Sequence, residues 1–110
     1  MNVQRLNEQR FLILTALATG PLHGYGLVAE IADITKGESR PRPGSLYHGL
    51  DKMLEQGLVE VASEAVVDGR LRRSYALTSS GRELLAATAL RRRREADTAI
   101  GRLGLAYRIT

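Results

Sequence analysis

Residues 40–60 read RPRPGSLYHGLDKMLEQGLVE, and this stretch decides how the rest of the chain is interpreted. Its leucines and methionine recur at the spacing of one helical face, which predicts an amphipathic helix with a core-facing stripe of Leu46, Leu50, Met53 and Leu54. The helix is expected to begin near Pro43, because proline has no amide hydrogen to leave unpaired in a first turn. Gly57 is expected to end it, and two arginines spaced by prolines precede it.

The composition limits what kind of protein this is. A length of 110 residues favours one domain. The absence of cysteine excludes disulfides, thiolate–metal sites and a cysteine nucleophile. The apolar run over residues 11–18 is too short to cross a bilayer, and the N-terminus does not have the pattern of a secretory signal. These features lead us to expect a soluble cytoplasmic protein with no membrane partner.

Basic residues outnumber acidic ones by 16 to 12, and fourteen of the sixteen are arginine. They gather around residues 36–52, in the turn at 70–73 and in the run at 91–94. Arginine suits planar contacts with phosphates and base edges, so this clustering suggests an anionic partner. Solvated charge is the alternative interpretation, and we favour it for the run at 91–94, which winds around its helix and has Glu95 and Asp97 as candidate ion-pair partners.

Two helices are predicted before the opening stretch. The first, over residues 4–18, contains FLILTALA, which is apolar almost all round and therefore needs cover on more than one side. Either the rest of the domain covers both sides, or a second copy of the chain covers one of them. The second helix opens at residues 23–26, where we interpret His23 as a satisfied helix-start residue and Tyr25 as a core residue. Its predicted stripe is Leu27, Val28, Ile31 and Ile34.

A β-hairpin and a long helix are predicted to follow. The β-like runs 58–67 and 71–77 flank Asp68-Gly69, which is typical of a two-residue hairpin turn. The last helix is expected over residues 80–105, with Ser80 (paired with Glu83) and Thr78 as competing N-caps. Its apolar stripe is thin and is interrupted by Arg92, which predicts packing against another helix in this chain or in a second subunit. The stripe consists of Leu85, Ala89, Ala96, Ala99 and Leu103.

Three helices followed by a hairpin are the layout of a winged helix-turn-helix. We therefore predict a mainly α fold with a β-hairpin: a winged helix-turn-helix DNA-binding domain over residues 1–78 and a C-terminal dimerisation helix over residues 79–110. In such a fold the third helix enters the DNA major groove and the hairpin lies against the backbone or the minor groove.

The candidate DNA contacts come from the start of the third helix and from the hairpin tip. They are Arg40, Arg42, Ser45, Tyr47, His48, Lys52, Arg70, Arg72 and Arg73. An ordinary solvated face, with Tyr47 half-buried against the second helix, is the alternative. Asp51 is on the same face, where an acid either accepts a hydrogen bond from cytosine or lies outside the contact.

Catalytic patterns are missing from the sequence. It contains no glycine loop that would cradle a phosphate, no metal-ligand spacing and no nucleophile beside a base. We therefore expect no enzyme activity, no cofactor and no metal site.

Several linked motifs resemble the PadR family of bacterial transcriptional regulators. They occur in the right order between about residue 10 and residue 90: Gly20–Tyr25 (GPLHGY), Arg42–Tyr47 (RPGSLY), Leu54–Val59 (LEQGLV), and Gly69-Arg70 followed by Tyr75–Leu85 (YALTSSGRELL). The single helix after the hairpin is similar to that of the compact members of the family.

This resemblance implies a homodimeric repressor that binds double-stranded DNA, at a palindromic operator, through the third helix and the wing. It also implies a dimer formed chiefly by the C-terminal helix and the first helix, with an interface of Phe11, Leu14, Leu85, Ala89, Ala96, Ala99, Ile100 and Leu103. A small-molecule effector of unknown identity would lie among Phe11, Leu14 and the alanine and isoleucine residues of the last helix. A winged-helix adaptor that binds a protein partner without DNA stays open as the alternative, because one scaffold can host both functions.

Overall fold

The computed structural model describes residues 5–105 and contains four α-helices and a small antiparallel sheet. The elements follow one another as α1 (Glu8–Leu17), β1 (Leu22–His23), α2 (Gly24–Ile34), α3 (Pro43–Glu55), β2 (Val59–Val67), β3 (Arg70–Leu77) and α4 (Ser79–Leu103). This arrangement confirms the predicted winged helix-turn-helix with one long helix after the wing. Residues 1–4 and 106–110 lie outside the described residues. They include the predicted first residue of the first helix and the last five residues of the predicted dimerisation unit.

The first helix is buried by its own chain. It begins after Asn7, whose side-chain oxygen accepts the amide hydrogen of Arg10. Residues 5–7 therefore lie outside the helix, whereas we had predicted them to be helical. Five of its residues are buried: Leu12, Ile13, Leu14, Ala16 and Leu17. The domain itself therefore covers the all-round apolar pattern, and α1 does not need a second copy for that purpose.

The second and third helices pack their predicted stripes onto α1. Leu27 and Ile31 of α2 and Leu46, Leu50 and Met53 of α3 are all essentially inaccessible to water. Ile34, which we had assigned to the α2 stripe, is 39% exposed, because it is the last residue of a helix that is leaving the core. The helical trio thus forms one core, which Leu58, Val59 and Tyr75 close from the wing.

The wing contains one strand more than predicted. The turn at Asp68-Gly69 is present, with both residues at positive φ (52° and 76°), as a tight hairpin turn requires. β1 is only two residues long, pairs Leu22 with Tyr75, and gives the sheet the order β1-β3-β2. An irregularity in β2 between Val61 and Ser63 shifts the register of the hairpin, and β2 is exposed along its whole length beyond Val59.

Thr78 joins the wing to α4. Its hydroxyl oxygen accepts the amide hydrogen of Gly81 at 3.0 Å and donates to the carbonyl of Gly57 at 2.6 Å. Thr78, not Ser80, is therefore the N-cap of α4, because only its hydroxyl is placed to satisfy a first-turn amide and the end of α3 together.

The long helix α4 rests on α1 only with its first half. Its contacts come from one face, on which Leu84 and Leu85 pack against the core and Thr88 is 1% exposed. Arg92 completes this face: its guanidinium lies 4.3 Å from the centre of the Phe11 ring and donates to the carbonyl of Leu6 at 3.0 Å. The residue that interrupts the apolar stripe in the sequence is thus the outermost anchor of the helix.

Candidate nucleic-acid interface

The start of α3 is an exposed, cationic helix N-terminus. Arg42 occupies the N-cap position with extended backbone (ψ 145°), Pro43 follows, and no described side chain caps the helix. The first-turn amides of a helix have no acceptor within it and bind anions well. Arg40 and Arg42 are both exposed beside them. The exposed amides and the two arginines at this end of α3 therefore form a surface whose charge suits an anion.

Ser45 has a partner that the sequence did not suggest. Its hydroxyl donates to the side-chain oxygen of Gln9 at 3.1 Å, across the gap between the starts of α3 and α1. The two residues are 36 positions apart, so no local pattern could have paired them. The Ser45 hydroxyl is exposed, and an incoming phosphate would have to compete with Gln9 for its hydrogen.

The outer face of α3 separates cleanly from its core face. Tyr47 is 44% exposed, and His48, Asp51 and Lys52 are exposed as well, as the spacing predicts. Lys52 lies 3.9 Å from the carboxylate of Glu55, one turn later, a surface pair that contributes little stability. The lysine can therefore exchange this partner for another anion at low cost.

Tyr25 corrects one of our assignments. It is 74% exposed at the first turn of α2 and is not a core residue. Gly24, immediately before it, occupies the buried position of that turn, and a Cβ atom there would overlap the hydroxyl of Tyr47. The helical step from 24 to 25 turns Tyr25 away from the core stripe and towards the start of α3. His23 is the expected helix-start residue: its Nδ1 accepts the amide hydrogen of Gly26 at 3.3 Å.

The two tyrosines share an apolar cavity of about 410 Å³ with the residues that lead into α3. Its lining is Gly24, Tyr25, Val28, Arg40, Pro41, Arg42, Pro43, Leu46 and Tyr47. Tyr25 is therefore the residue of this surface that the sequence analysis missed. The sequence does contain a signal for its exposure. Gly24, Leu27 and Ile31 share the buried face of α2, and Tyr25, one residue after Gly24, projects from a different face.

A second cleft, of about 420 Å³, separates α3 from the wing. It brings together groups from four elements: His23, Gly24, Tyr25, Tyr47, Asp51, Arg70, Leu71, Arg72, Arg73 and Tyr75. The three predicted wing arginines thus border one groove together with Tyr47 and Asp51 of α3. Asp51 lines this groove, so it faces the wing arginines across it.

The wing arginines are not equivalent. Arg73 forms an ion pair with Glu64 on the neighbouring strand at 2.9 Å, with both side chains about half exposed. Within residues 5–105, no carboxylate lies within salt-bridge distance of Arg70 or Arg72. The charge nearest the tip of the wing is therefore available to an external anion.

Tyr75 closes the inner end of the groove. It is 3% exposed, and burial raises the pKa of its phenol; the Arg73 side chain opposes the shift, while Tyr47 and Asp51 add to it slightly. Its hydroxyl therefore stays neutral to a higher pH than that of an exposed tyrosine. The base of the wing is thus fixed by a neutral buried ring, while its tip carries the charge.

The predicted dimer-interface residues differ in how exposed they are to solvent. Leu14 is completely buried in the core of its own chain and has no surface left for a partner or an effector, which corrects that assignment. Phe11 is half-buried beneath Arg92, and Leu85 and Ile100 are also half-buried. The remaining four are exposed: Ala89, Ala96, Ala99 and Leu103.

The arginine run on α4 has mixed surroundings. Arg91 lies 4.0 Å from Glu95, one of the two carboxylates that we expected to pair with it. Arg92 anchors the helix to α1, whereas Arg93 and Arg94 point into solvent. Only part of the run is therefore a solvated segment.

In the part of the chain that the structure describes, no group of three or more histidine, cysteine or acidic residues is placed to hold a metal ion. None of the described helices has the length and apolar character needed to cross a membrane.

Comparison with known proteins identifies the family. The model of the transcriptional regulator PadR-like family matches residues 13–87, which run from α1 into α4 and include the whole wing. The chain belongs to this family. It is a PadR-like transcriptional regulator, as the motifs in its sequence implied.

Individual curated proteins are also similar to this chain. The transcriptional regulator Rv3488 of Mycobacterium tuberculosis is 38% identical over 76 residues, which are 69% of this chain and 67% of that protein. The transcriptional regulator YqjI of Escherichia coli is 36% identical over 78 residues, 71% of this chain but 36% of that protein. The chain spans only 22% and 36% of the lengths of the first curated relatives that it matches.

A solved structure of the family contains DNA. Bacillus subtilis PadR in complex with operator DNA superposes with a TM-score of 0.65 at 21% identity, over 74% of this chain and 46% of that one. At this identity the likeness concerns the fold. The PadR-like chain described here is thus similar in fold to a protein crystallised in complex with operator DNA.

Proposed function

We propose that this PadR-like regulator binds double-stranded DNA through α3 and the wing, and that it acts as a homodimeric repressor at a palindromic operator. One observation carries the DNA-binding part of this proposal. The groove between α3 and the wing is bordered by exposed arginines on the wing side and by Tyr47 and Asp51 on the α3 side. A groove of that composition suits a duplex, whose phosphates need cations and whose base edges need hydrogen-bonding groups.

The residues divide into positioning and reading groups. Arg40, Arg42, Ser45 and the uncapped amides of α3 would hold one phosphate strand, while Arg70 and Arg72 would neutralise another beside the wing. Tyr47 and His48, on the first two turns of α3, are the side chains that would reach base edges. Recognition helices use their N-terminal residues in this way.

The second half of α4 supports the homodimer. Beyond Arg92 the helix extends away from the domain, and its apolar residues are left on the surface, with Leu103 72% exposed. The exposed alanines at 96 and 99 continue the face that packs on α1 further back. A second copy of α4 would cover this stripe, and residues 79–110 would then form the dimerisation unit and residues 1–78 the DNA-binding unit.

The repressor role rests on the resemblance to the PadR family. Selection of bound sites from random duplexes tests the proposal. Two-fold symmetry predicts a near-palindrome with half-sites about one helical turn, about 10 base pairs, apart. Light scattering on the same preparation should give the mass of a dimer.

Two outcomes would contradict the proposal separately. Failure to enrich any site would contradict DNA binding, and an asymmetric site together with a monomeric mass would contradict the two-fold arrangement. Ala99→Glu, which places a charge on the exposed stripe far from the groove, should weaken the dimer without altering the half-site sequence. Ala86→Glu, on another face of α4, is the matched control and should leave the dimer intact.

A further inference from the structure

Gly24 is a buried residue in the first turn of α2, and the end of the Tyr47 side chain occupies the space that a side chain at this position would need. A Cβ atom built on Gly24 would overlap the Tyr47 hydroxyl and lie 2.9 Å from Cζ of the same ring, closer than real Cβ atoms approach. The next atom, Cε1 of Tyr47, is 3.6 Å away. The ring of Tyr47 therefore rests on α2 through the gap that glycine leaves.

The backbone of α2 does not itself require glycine at this position. Gly24 is helical and does not have a positive φ, so alanine could adopt its conformation without strain. Gly26, in the same turn, is different, because the nearest atom to a Cβ there is Cδ2 of Leu22, at 3.4 Å. What a larger residue in place of Gly24 would meet first is thus the tip of one surface side chain, that of Tyr47.

The contact with Gly24 restricts a side chain that is otherwise free to move. Tyr47 is 44% exposed, so it lacks much of the packing that fixes an aromatic ring in a core. A tyrosine on a helix has two common χ1 rotamers, and an exposed one exchanges readily between them. Contact with Gly24 favours the rotamer in which the hydroxyl end lies against α2.

The position of the Tyr47 ring matters because it borders two concave surfaces. Tyr47 lines both the apolar cavity at the start of α3 and the groove between α3 and the wing. Gly24 and Tyr25 also line both, so the contact lies at the boundary between them. A ring displaced from Gly24 would enter one of these spaces or project into solvent, and each movement changes the α3 side of the groove.

We propose that Gly24 is a positioning residue for DNA recognition: the space that it leaves holds the Tyr47 ring at the border of the groove, in the conformation that meets the duplex. The inference rests on the DNA-binding function proposed above and adds to it a residue that acts through Tyr47. A side chain that is already ordered loses less conformational entropy on binding. Gly24→Ala should therefore displace the ring and weaken DNA binding, although alanine suits the helix.

NMR spectra of the free protein, with isotope-labelled tyrosine rings, test the placement of the ring without DNA. The Tyr47 signals, assigned by their loss in Tyr47→Leu, should move in Gly24→Ala towards the positions of an exposed ring. The Tyr75 signals should stay in place, since that ring is 3% exposed. Gly26→Ala is the matched control and should leave the Tyr47 signals where they are.

Urea denaturation shows whether Gly24→Ala acts on the fold or on the ring. The tip of an exposed side chain can swing aside, so the midpoint of unfolding should not fall. This behaviour would distinguish a positioning role from a structural one.

Fluorescence anisotropy on a selected duplex tests the consequence for binding. Gly24→Ala should weaken binding by about three- to tenfold. The salt dependence should keep its slope, because the phosphate contacts are unchanged. Leucine lacks the atoms that would overlap a Cβ at residue 24, so in the Tyr47→Leu background Gly24→Ala should change the affinity by less than about twofold.

The outcomes separate this inference from the function on which it rests. Unmoved Tyr47 signals in Gly24→Ala, unchanged affinity, or an equal loss of affinity in both backgrounds would overturn the inference and leave DNA binding standing. A clearly lower midpoint of unfolding would overturn it too, since the ring would then not be able to move aside. A wild-type protein that binds no duplex would overturn the proposed function and the role of Gly24 in recognition together, whatever the NMR comparison shows about the ring.

Discussion

Gly81, in the first turn of α4, has no room for a side chain. A Cβ atom there would overlap the carbonyl oxygen of Leu58 and lie 2.9 Å from its carbonyl carbon. The obstacle is backbone that also accepts a hydrogen bond from the Thr78 amide at 3.2 Å, so it cannot simply move aside. We predict that Gly81→Ala lowers the free energy of unfolding in urea by about 3 kcal/mol or more.

Gly49 is the matched control for this substitution. It is also helical and buried, but the nearest atom to a new Cβ is Cδ1 of Ile13 at 3.5 Å, an ordinary contact. Gly49→Ala should therefore be neutral or stabilise the fold by about 0.5–1 kcal/mol, because alanine has the higher helix propensity. Equal losses in both variants would show that the Leu58 carbonyl is not the cause.

Thr88 is buried on α4 with its hydroxyl oxygen lacking a hydrogen-bond partner among the described residues. An unsatisfied buried hydroxyl carries an uncompensated desolvation cost, and valine has nearly the same shape and helix propensity. We predict that Thr88→Val raises the free energy of unfolding by about 1 kcal/mol. Thermal and urea denaturation would measure it.

Thr98 supplies the comparison on the same helix. Its hydroxyl is exposed and donates to the carbonyl of Arg94 at 3.0 Å. Thr98→Val should change the stability by less than about 0.5 kcal/mol. A destabilised Thr88→Val protein would mean that the hydroxyl has a partner, such as a bound water, that stabilises the fold.

At the scale of elements, Arg92 decides how α4 is held on α1. Its guanidinium stacks on Phe11 and donates to the carbonyl of Leu6, both on or beside α1. We predict that Arg92→Ala lowers the free energy of unfolding by about 1–2 kcal/mol, through loss of the cation–π contact and of a charge-assisted hydrogen bond.

Arg94→Ala removes an exposed arginine of the same run and should cost less than about 0.5 kcal/mol. Both variants would be compared with the wild type in urea at one protein concentration, since an associating protein has a concentration-dependent stability. Equal effects would place the contribution of Arg92 in its charge alone and contradict the anchoring role.

The base of the wing makes a prediction about alkaline pH. Burial holds the pKa of Tyr75 above its ordinary value of 10.0, so the folded protein retains this proton after the unfolded chain has lost it. The stabilisation is therefore complete below pH 10 and is lost as the pH rises towards the folded-state pKa. We predict that the wild-type protein loses more stability above pH 10 than Tyr75→Phe does, in urea titrations at a series of pH values.

Because Tyr25 and Tyr47 are present in both proteins, the difference between them isolates Tyr75. Parallel stability curves for the two proteins above pH 10 would contradict the assignment.

The elements also differ in how well the sequence predicts them. The helices and the hairpin turn were predicted because their signals are local: the i, i+4 spacing in α3 and Asp68-Gly69 between two β-like runs. β1 was not predicted, since two residues carry no periodicity and their pairing depends on the free edge of β3. The placements of Ser45 beside Gln9 and of Arg92 on Phe11 join residues 36 and more than 80 positions apart, and only the packed fold determines such contacts.

At the scale of the whole molecule, the chain is elongated, with extents of 56 × 36 × 22 Å. Much of that length belongs to α4, whose 25 residues extend about 37 Å. The helical trio and wing form one end, and the uncovered half of α4 leads away from it. In the function proposed above, the first end would bind DNA, and the second would form the two-fold contact that sets the distance between the two copies of α3.

The measurement that tests the DNA-binding account most directly is the salt dependence of affinity for a selected duplex, for the wild type and for Arg72→Ala. We predict that the logarithm of the association constant falls linearly with that of the salt concentration, because phosphate contacts release counterions. Loss of one phosphate contact per subunit should weaken binding and reduce the slope by about one for each subunit bound. An affinity that does not depend on salt, or an Arg72→Ala slope equal to that of the wild type, would contradict a wing that contacts the DNA backbone.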